Sequence, residues 1–235
     1  MGIKKSWEED TSTSSAQGFT LVELAIVLVI IGIIIGAVMK GQDLIDNARA
    51  KKVITTANTW NMLTWAYMDR KGRFPGDDTN RDGLIGNIAG EQTAATSAIG
   101  QMAATGAFTN PPANPIAIGS YQFWVYIGYD SSGGAINKNV MVICKTVTCG
   151  ATFFTDSELK LIEAVDTAID GISDAGMGQF RGATAVTLAG AGTVNGIVTA
   201  AVTAVTGLGT ESTAGATAVW ATSQNAAVWL FDIPY

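Results

Sequence analysis

Oxygen-bearing side chains with the spacing of metal ligands lie in the segment 78–83. Asp78, Asn80 and Asp82 precede a glycine, and D-x-N-x-D-G is the pattern with which a calcium loop opens. The twelfth position of such a loop is Ala89 here, where a complete EF-hand requires a glutamate that binds through both oxygens. Two interpretations stay open: a calcium site closed by backbone carbonyls or by Glu91, or an Asx-rich turn without an ion.

The chain has two cysteines, Cys144 and Cys149, in a C-x4-C arrangement. If this part of the chain is exported, we expect a disulfide that closes the short loop between them. A metal site would need two further ligands. Two reduced thiols are the remaining alternative.

Histidine is absent from the chain. Its absence excludes Ser-His-Asp catalysis, Cys-His catalysis and histidine-ligated zinc. Lysine and arginine total 14 against 20 aspartates and glutamates, a net charge of −6, whereas nucleic-acid binding requires a basic patch. We therefore expect neither an enzyme nor a nucleic-acid-binding protein, and no cofactor other than the calcium ion considered above.

A long apolar run near the N-terminus is the element that must position the rest of the chain. Residues 24–39 are uncharged, and the run extends back to Phe19 with Glu23 as its single charge. At about 1.5 Å per residue its length is roughly 31 Å, the thickness of a bilayer's hydrocarbon core. A secretory signal would be shorter and would end at an A-x-A-like site, and a buried core helix is the other alternative. We expect a single membrane-spanning helix.

The junction before this run, QGFTLVEL at residues 17–24, resembles the type IV prepilin signal. In that family a membrane peptidase cuts after the glycine on the cytoplasmic side, and the new N-terminal residue is N-methylated. The resemblance implies cleavage between Gly18 and Phe19, methylation of Phe19, and Glu23 as the fifth residue of the mature chain. Two features depart from the family: the leader of 18 residues is long and locally acidic, and Lys40 stands where many major pilins have a proline.

The carboxylate of Glu23 suggests a role in assembly. A carboxylate within an apolar helix costs a few kcal/mol at mid-bilayer and less near the interface. An α-amine is largely protonated at neutral pH. If the amine of the next subunit's Phe19 lay ~4 Å away, Glu23 would gain on the order of 4 kcal/mol at an effective dielectric constant near 20, before desolvation. We expect this pair to fix the stagger between subunits; an unpaired glutamate at the membrane interface is the alternative.

Beyond Lys40 the helical pattern becomes amphipathic. Apolar residues recur at helical spacing at Ala50, Val53, Ala57, Trp60 and Tyr67. The pattern stops at Lys71, where cations, a glycine and then a proline follow. We expect one spike helix from about Phe19 to Lys71.

The residues after the spike helix predict a mixed fold. Aromatic and β-branched residues predict strands at 121–127, 139–143 and 225–231, and T-x-x-E at Thr155 predicts a short helix. Segment 183–218 consists largely of alanine, glycine, threonine and valine, and it is either a subunit-contact region or a weakly specified sheet and loop. The predicted class is α+β, a long N-terminal helix packed on an antiparallel β-sheet head. The predicted regions are a cleaved leader at 1–18, a transmembrane half-helix at 19–40, an amphipathic half-helix at 41–71 and a globular pilin head at 72–235.

Three classes of function fit these features. The first is a pilin or minor pilin, a structural subunit of a type IV filament that is inserted in the inner membrane and then moves to a filament in the periplasm or at the surface. The resemblance implies as partners other pilin subunits, a prepilin peptidase and N-methyltransferase, and an inner-membrane assembly platform. The second is a pseudopilin of a type II secretion or DNA-uptake system. The third is a membrane-anchored periplasmic enzyme or binding protein. The sequence has no nucleophile motif and no cofactor loop, which counts against this class.

Overall fold

The computed structural model describes residues 20–130, 138–150, 152–206, 208 and 218–231. These residues form two compact units, one ending at Leu44 and the other beginning at Ile45. Helix α1 (Leu21–Lys71) contributes residues to both units. The predicted spike helix is therefore confirmed, including its end at Lys71.

The first unit is the apolar part of α1. From Leu21 to Met39 its large apolar side chains are 46–89% exposed, on every side of the helix. By length and composition α1 could cross a membrane, and it is the one such helix among the described residues. A helix that is apolar all round requires a lipid or protein environment.

The second part of α1 is packed through one face only. Its buried side chains are those of Ala50, Val53, Ala57, Trp60, Thr64 and Tyr67. Five of these six are the apolar stripe predicted from the sequence. The sixth, Thr64, is tolerated because its hydroxyl donates to the Trp60 carbonyl at 2.9 Å. The helix ends where Gly72 adopts a left-handed conformation (φ 69°) and its N–H donates to the Met68 carbonyl at 2.8 Å.

Among the described residues, seven strands form the sheet of the second unit. They are β1 (Ile116–Ile118), β2 (Tyr121–Tyr129), β3 (Asn139–Cys144), β4 (Phe180–Ala183), β5 (Ala185–Val194), β6 (Ile197–Thr206) and β7 (Ala226–Trp229). Their order is β4-β7-β3-β2-β6-β5, with β1 paired to β2. The three predicted strands are confirmed as β2, β3 and β7, and the α+β class is confirmed.

One strand pair departs from the predicted antiparallel arrangement. Strands β2 and β6 pair in parallel, through Ile127 with Ala201 and Gly128 with Val202, while the other described pairs are antiparallel. Gly128 makes this approach possible, because a Cβ at this position would collide with the Val202 carbonyl oxygen.

The sheet separates two clusters of buried side chains. Phe123, Val125 and Ile127 of β2 belong to the cluster that includes Val53 and Trp60 of α1. Tyr126 lies between Val125 and Ile127 in β2, and its side chain belongs to the second cluster, with Val142, Val202, Val228 and the two cysteines. The period-2 alternation of a strand produces this separation.

Three shorter helices complete the described fold. They are a 3₁₀ helix (Ala89–Glu91), α2 (Ala98–Ala103) and α3 (Asp156–Asp170). The capping box predicted at Thr155 is confirmed: its side chain accepts from the Glu158 N–H, and the Glu158 carboxylate accepts from the Thr155 N–H at 2.7 Å.

The small-residue segment, in which no strand positions were predicted, forms a long hairpin of β5 and β6 up to Thr206. Asn195 and Gly196 form its turn with φ values of 50° and 80°, both positive as a type I′ turn requires. Asn-Gly is the strongest local signal for such a hairpin, and it was present in the sequence. The described residues of this segment therefore form part of the sheet, and its role as a subunit-contact region stays a prediction.

Candidate functional site

The residues of the predicted cleavage site, Gly18 and Phe19, lie outside the described residues. Helix α1 begins at Leu21, and Thr20 precedes it. The Thr20 N–H and hydroxyl donate to Glu23 Oε2 at 2.9 and 2.8 Å. The Glu23 N–H interacts in turn with Thr20 Oγ1 at 3.3 Å, which makes the pair a reciprocal capping box. The structure thus gives Glu23 a role that the sequence interpretation missed, although its signal, T-x-x-E, was there.

The electrostatic setting of Glu23 suits this role. The first turn of a helix carries a partial positive charge, which favours a carboxylate there. Both capping bonds fall on Oε2, and Oε1 accepts none of the hydrogen bonds found within the described part of the chain. The side chain is exposed. Glu23 can therefore cap its own helix and still face a cation from outside the chain.

A disulfide closes the loop after β3. Cys144 and Cys149 are bonded, with Cα atoms 5.2 Å apart, and both residues are buried. The Tyr126 hydroxyl donates to the Val147 carbonyl in this loop at 2.6 Å, and burial raises the pKa of that phenol. The Asn225 amide donates to the Cys149 carbonyl at 3.3 Å. The disulfide, the Tyr126 hydroxyl and the Asn225 amide together hold the loop against the sheet.

The predicted calcium ligands lie in a loop that is held by its own hydrogen bonds. Asn80 Nδ2 donates to Asp82 Oδ2 at 2.8 Å, so the amide nitrogen, and not its oxygen, faces the carboxylate. Asn87 Nδ2 donates to the same oxygen at 2.6 Å, and the Leu84 N–H donates to Asp82 Oδ1 at 2.9 Å. Within the described ranges no three Asp, Glu, Cys or His side chains stand together as a metal-binding group. Calcium binding through Asp78, Asn80 and Asp82 stays a prediction.

Two further carboxylates border this loop. Glu91, which the sequence offered as a closing ligand, accepts from the Thr79 N–H at 3.0 Å and is fully buried. Asp77, which the sequence interpretation did not single out, accepts from the Gly83 N–H at 3.0 Å and is 2% exposed. Burial raises the pKa of both carboxyl groups, and the charges of Asp77 and Asp78 raise that of Glu91 further.

Another buried carboxylate, that of Asp166, lies near the end of α3. Asp166 is fully buried, and its Oδ2 accepts from Trp220 Nε1 at 2.8 Å and from the Asp174 N–H at 2.7 Å. Burial raises the pKa of Asp166 to about 7, and the charge of Asp170 acts in the same direction. Asp170 accepts from the Phe180 N–H at 2.8 Å. These carboxylates tie α3 to β4 and to Trp220, which is a structural role.

Comparison with known proteins identifies the N-terminal segment. Residues 13–39 match the family model of the prokaryotic N-terminal methylation motif. The chain carries a type IV pilin-like leader signal. No curated protein and no solved structure gives a significant match.

The leader signal includes both Gly18 and Phe19 and extends through the exposed apolar part of α1. It supports a type IV pilin-like or pseudopilin-like protein and points to a structural protein. It also implies processing by a prepilin peptidase and assembly with other pilin-type subunits. Together with the apolar helix, the leader signal suggests a membrane-anchored protein.

Proposed function

We propose that the protein is a structural subunit of a type IV filament, a pilin or minor pilin. In this proposal the precursor is cut between Gly18 and Phe19, Phe19 is methylated, and the subunit is assembled from the inner membrane through its N-terminal helix. The observation that carries the proposal is the methylation motif at 13–39 on a helix whose apolar side chains are exposed on every side. Such a surface suits lipid before assembly and neighbouring helices afterwards.

Glu23 has two roles in this proposal. Its Oε2 caps α1 through Thr20, as the 2.8 and 2.9 Å bonds support. Its negative charge then pairs with the methylated amine of Phe19 on a neighbouring subunit, at a gain on the order of 4 kcal/mol before desolvation. An amine without this partner would be buried as an unpaired charge, which disfavours incorporation.

The capping box supplies variants that separate the two roles. Glu23→Gln keeps a side chain that can complete a capping box but removes the charge. Glu23→Ala removes both cap and charge, and Thr20→Val removes the hydroxyl while it keeps the charge. The full-length chain is expressed in its native host with each substitution. Intact mass reports cleavage and methylation, and the amount of subunit in sheared filaments is compared with the amount in the inner membrane.

We expect all three variants to yield a chain that begins at Phe19 with one added methyl group. Filament incorporation should fall sharply for Glu23→Gln and Glu23→Ala, with processed subunit accumulating in the membrane, and should stay close to wild type for Thr20→Val. Wild-type incorporation of Glu23→Gln would overturn the charge pairing and leave the cap as the function of Glu23. A wild-type subunit that is processed but never recovered in filaments would favour the pseudopilin alternative, which the same leader signal supports.

A further inference from the structure

The last turn of α1 borders a small cavity in the second unit, here called the basic cavity. It has a volume of about 240 Å³ and is lined by Tyr67, Arg70, Lys71, Gln101 and the loop residues 104–107. Two of these residues are cations, and none of the described residues that line the cavity is an aspartate or a glutamate. The chain as a whole carries a net charge of −6, so the basic cavity differs in sign from the protein that surrounds it.

The two cations of the basic cavity are not neutralised within the described part of the chain. None of the ion pairs found there includes Arg70 or Lys71. The Arg70 guanidinium donates through Nη1 to the Ala107 carbonyl at 2.6 Å and lies 5.0 Å from the centre of the Phe108 ring, which holds it in place. Its Nε and Nη2 donate none of the hydrogen bonds found among the described residues, so both can donate to a ligand.

Gln101 adds an uncharged donor to the wall of the cavity. Its Oε1 accepts three hydrogen bonds, from the Tyr67 hydroxyl at 3.0 Å and from Arg73 Nη1 and the Gly76 N–H, each at 3.1 Å. These bonds fix the orientation of the amide, and its Nε2 donates none of the hydrogen bonds found in the described ranges. Arg73 also donates to the Tyr67 hydroxyl at 3.3 Å, so a third cation contacts the residues of the wall.

We propose that the basic cavity binds the carboxylate or phosphate group of a small organic acid about the size of a monosaccharide. Such an oxyanion accepts charge-assisted hydrogen bonds, which matches a wall of guanidinium, ammonium and amide donors. The volume of the cavity lies below the roughly 300–1,000 Å³ of pockets for drug-sized ligands, so the ligand must be small. The C-terminal end of α1 opposes an anion with about half a unit of negative charge, whereas Arg70 and Lys71 supply two full positive charges.

The test uses the purified full-length protein in micelles of an uncharged detergent. Isothermal titration calorimetry measures the binding of three probes that share one sugar ring: glucuronate carries a carboxylate, glucose 6-phosphate carries a phosphate, and glucose carries neither. We expect one site per chain with a dissociation constant of about 1 mM for at least one of the two acids, because an exposed site desolvates its charges only in part. The acid with the lower dissociation constant identifies the oxyanion.

The charge of the ligand should determine its affinity. Glucose should bind at least about tenfold more weakly than the preferred acid, because it forms no charge-assisted hydrogen bond. Raising the salt concentration to about 0.5 M should weaken binding of that acid several-fold, since salt screens exposed charges. An affinity for glucose equal to that for both acids would overturn the proposal.

Three variants locate the site. Arg70→Gln should weaken binding of the preferred acid about tenfold, and Arg70→Lys, which keeps the charge, should weaken it less. Lys71→Gln should weaken binding about threefold, as expected for a more exposed charge. The matched control is Lys51→Gln, which removes an exposed cation of α1 that does not line the cavity and should leave binding unchanged.

The melting temperature of each variant shows whether it is folded. If Arg70→Gln does not fold, Lys71→Gln and the comparison of the acids with glucose decide the question. Absence of saturable binding of both acids up to roughly 20 mM would overturn the proposal, and so would unchanged binding by the folded Arg70→Gln and Lys71→Gln variants. The two cations would then serve only to offset the dipole of α1.

Discussion

The two parts of helix α1 have different relations to the rest of the chain. After Ile45 one apolar stripe faces the sheet, and Val53 and Trp60 are fully buried by residues of the same chain. Before Leu44 apolar side chains cover the whole circumference and stay exposed, as for Val29 at 62%. A stripe of apolar residues can be covered by one sheet, whereas a fully apolar helix needs partners on all sides. The first part must therefore be completed by lipid or by other chains.

The largest effect that would sharpen this comparison is expected for Trp60. Trp60→Ala removes a fully buried indole and should lower the free energy of unfolding by about 3–5 kcal/mol. Trp65, one turn later, is 42% exposed and packs edge-on against Phe74, so Trp65→Ala should cost only about 1 kcal/mol. Chemical denaturation of the full-length protein in micelles measures both. Equal losses would contradict the assignment of a single buried face.

A second effect concerns the disulfide and should be confined to the second unit. Replacing Cys144 and Cys149 together with serine should lower the free energy of unfolding by about 2–3 kcal/mol in the loop-entropy model. Processing at Gly18 should not change, because the loop is remote in sequence from the leader. Thiol labelling of denatured wild-type protein without reductant is the companion measurement. Two labelled cysteines there would contradict the bond.

The pH dependence of the second unit should come in part from Asp166. Its pKa is raised to about 7 in the folded chain from an ordinary value of 3.8, so the folded state binds the proton more tightly. This contribution is fully present below about pH 4 and is lost as the pH rises toward 7. Asp166→Asn should therefore reduce the loss of stability between pH 5 and pH 8, by on the order of 2 kcal/mol. If the melting temperature of Asp166→Asn depends on pH in the same way as that of the wild type, this prediction is wrong.

The most direct comparison of the two parts uses one substitution at two positions. Val53→Ala should lower the free energy of unfolding by about 1.5–2 kcal/mol, because it removes buried apolar atoms. Val29→Ala should leave that free energy unchanged in micelles. If the second unit is destabilised by Val29→Ala, the two parts of α1 are not energetically distinct.

Features that depend on local sequence could be predicted. The amphipathic stripe from Ala50 to Tyr67, the end of α1 at Lys71 and the capping box at Thr155 follow from spacing and capping alone. Two local signals were present and missed: T-x-x-E at Thr20, which an apolar run obscures, and Asn-Gly at 195–196 within a segment of small residues.

Features that depend on contacts distant in sequence could not be predicted. The parallel pairing of β2 with β6 joins residues more than seventy positions apart, as with Ile127 and Ala201, and no period along the chain encodes it. The buried state of Asp77 and Asp166 likewise depends on the packing around them, since nothing in an isolated D-D or D-T dipeptide signals desolvation. Glu91 could be offered only as an alternative, because its approach to Thr79 depends on how the loop formed by residues 77–91 closes.

The capping box at the start of α1 also determines how little the precursor must rearrange when it matures. The first helical hydrogen bond runs from the Leu24 N–H to the Thr20 carbonyl at 3.3 Å, and the cap uses only Thr20 and Glu23. Cleavage at Gly18 would leave every one of these bonds intact. In the proposed maturation the leader is lost and a methylated ammonium group forms at Phe19, while the cap that starts α1 is the same before and after cleavage.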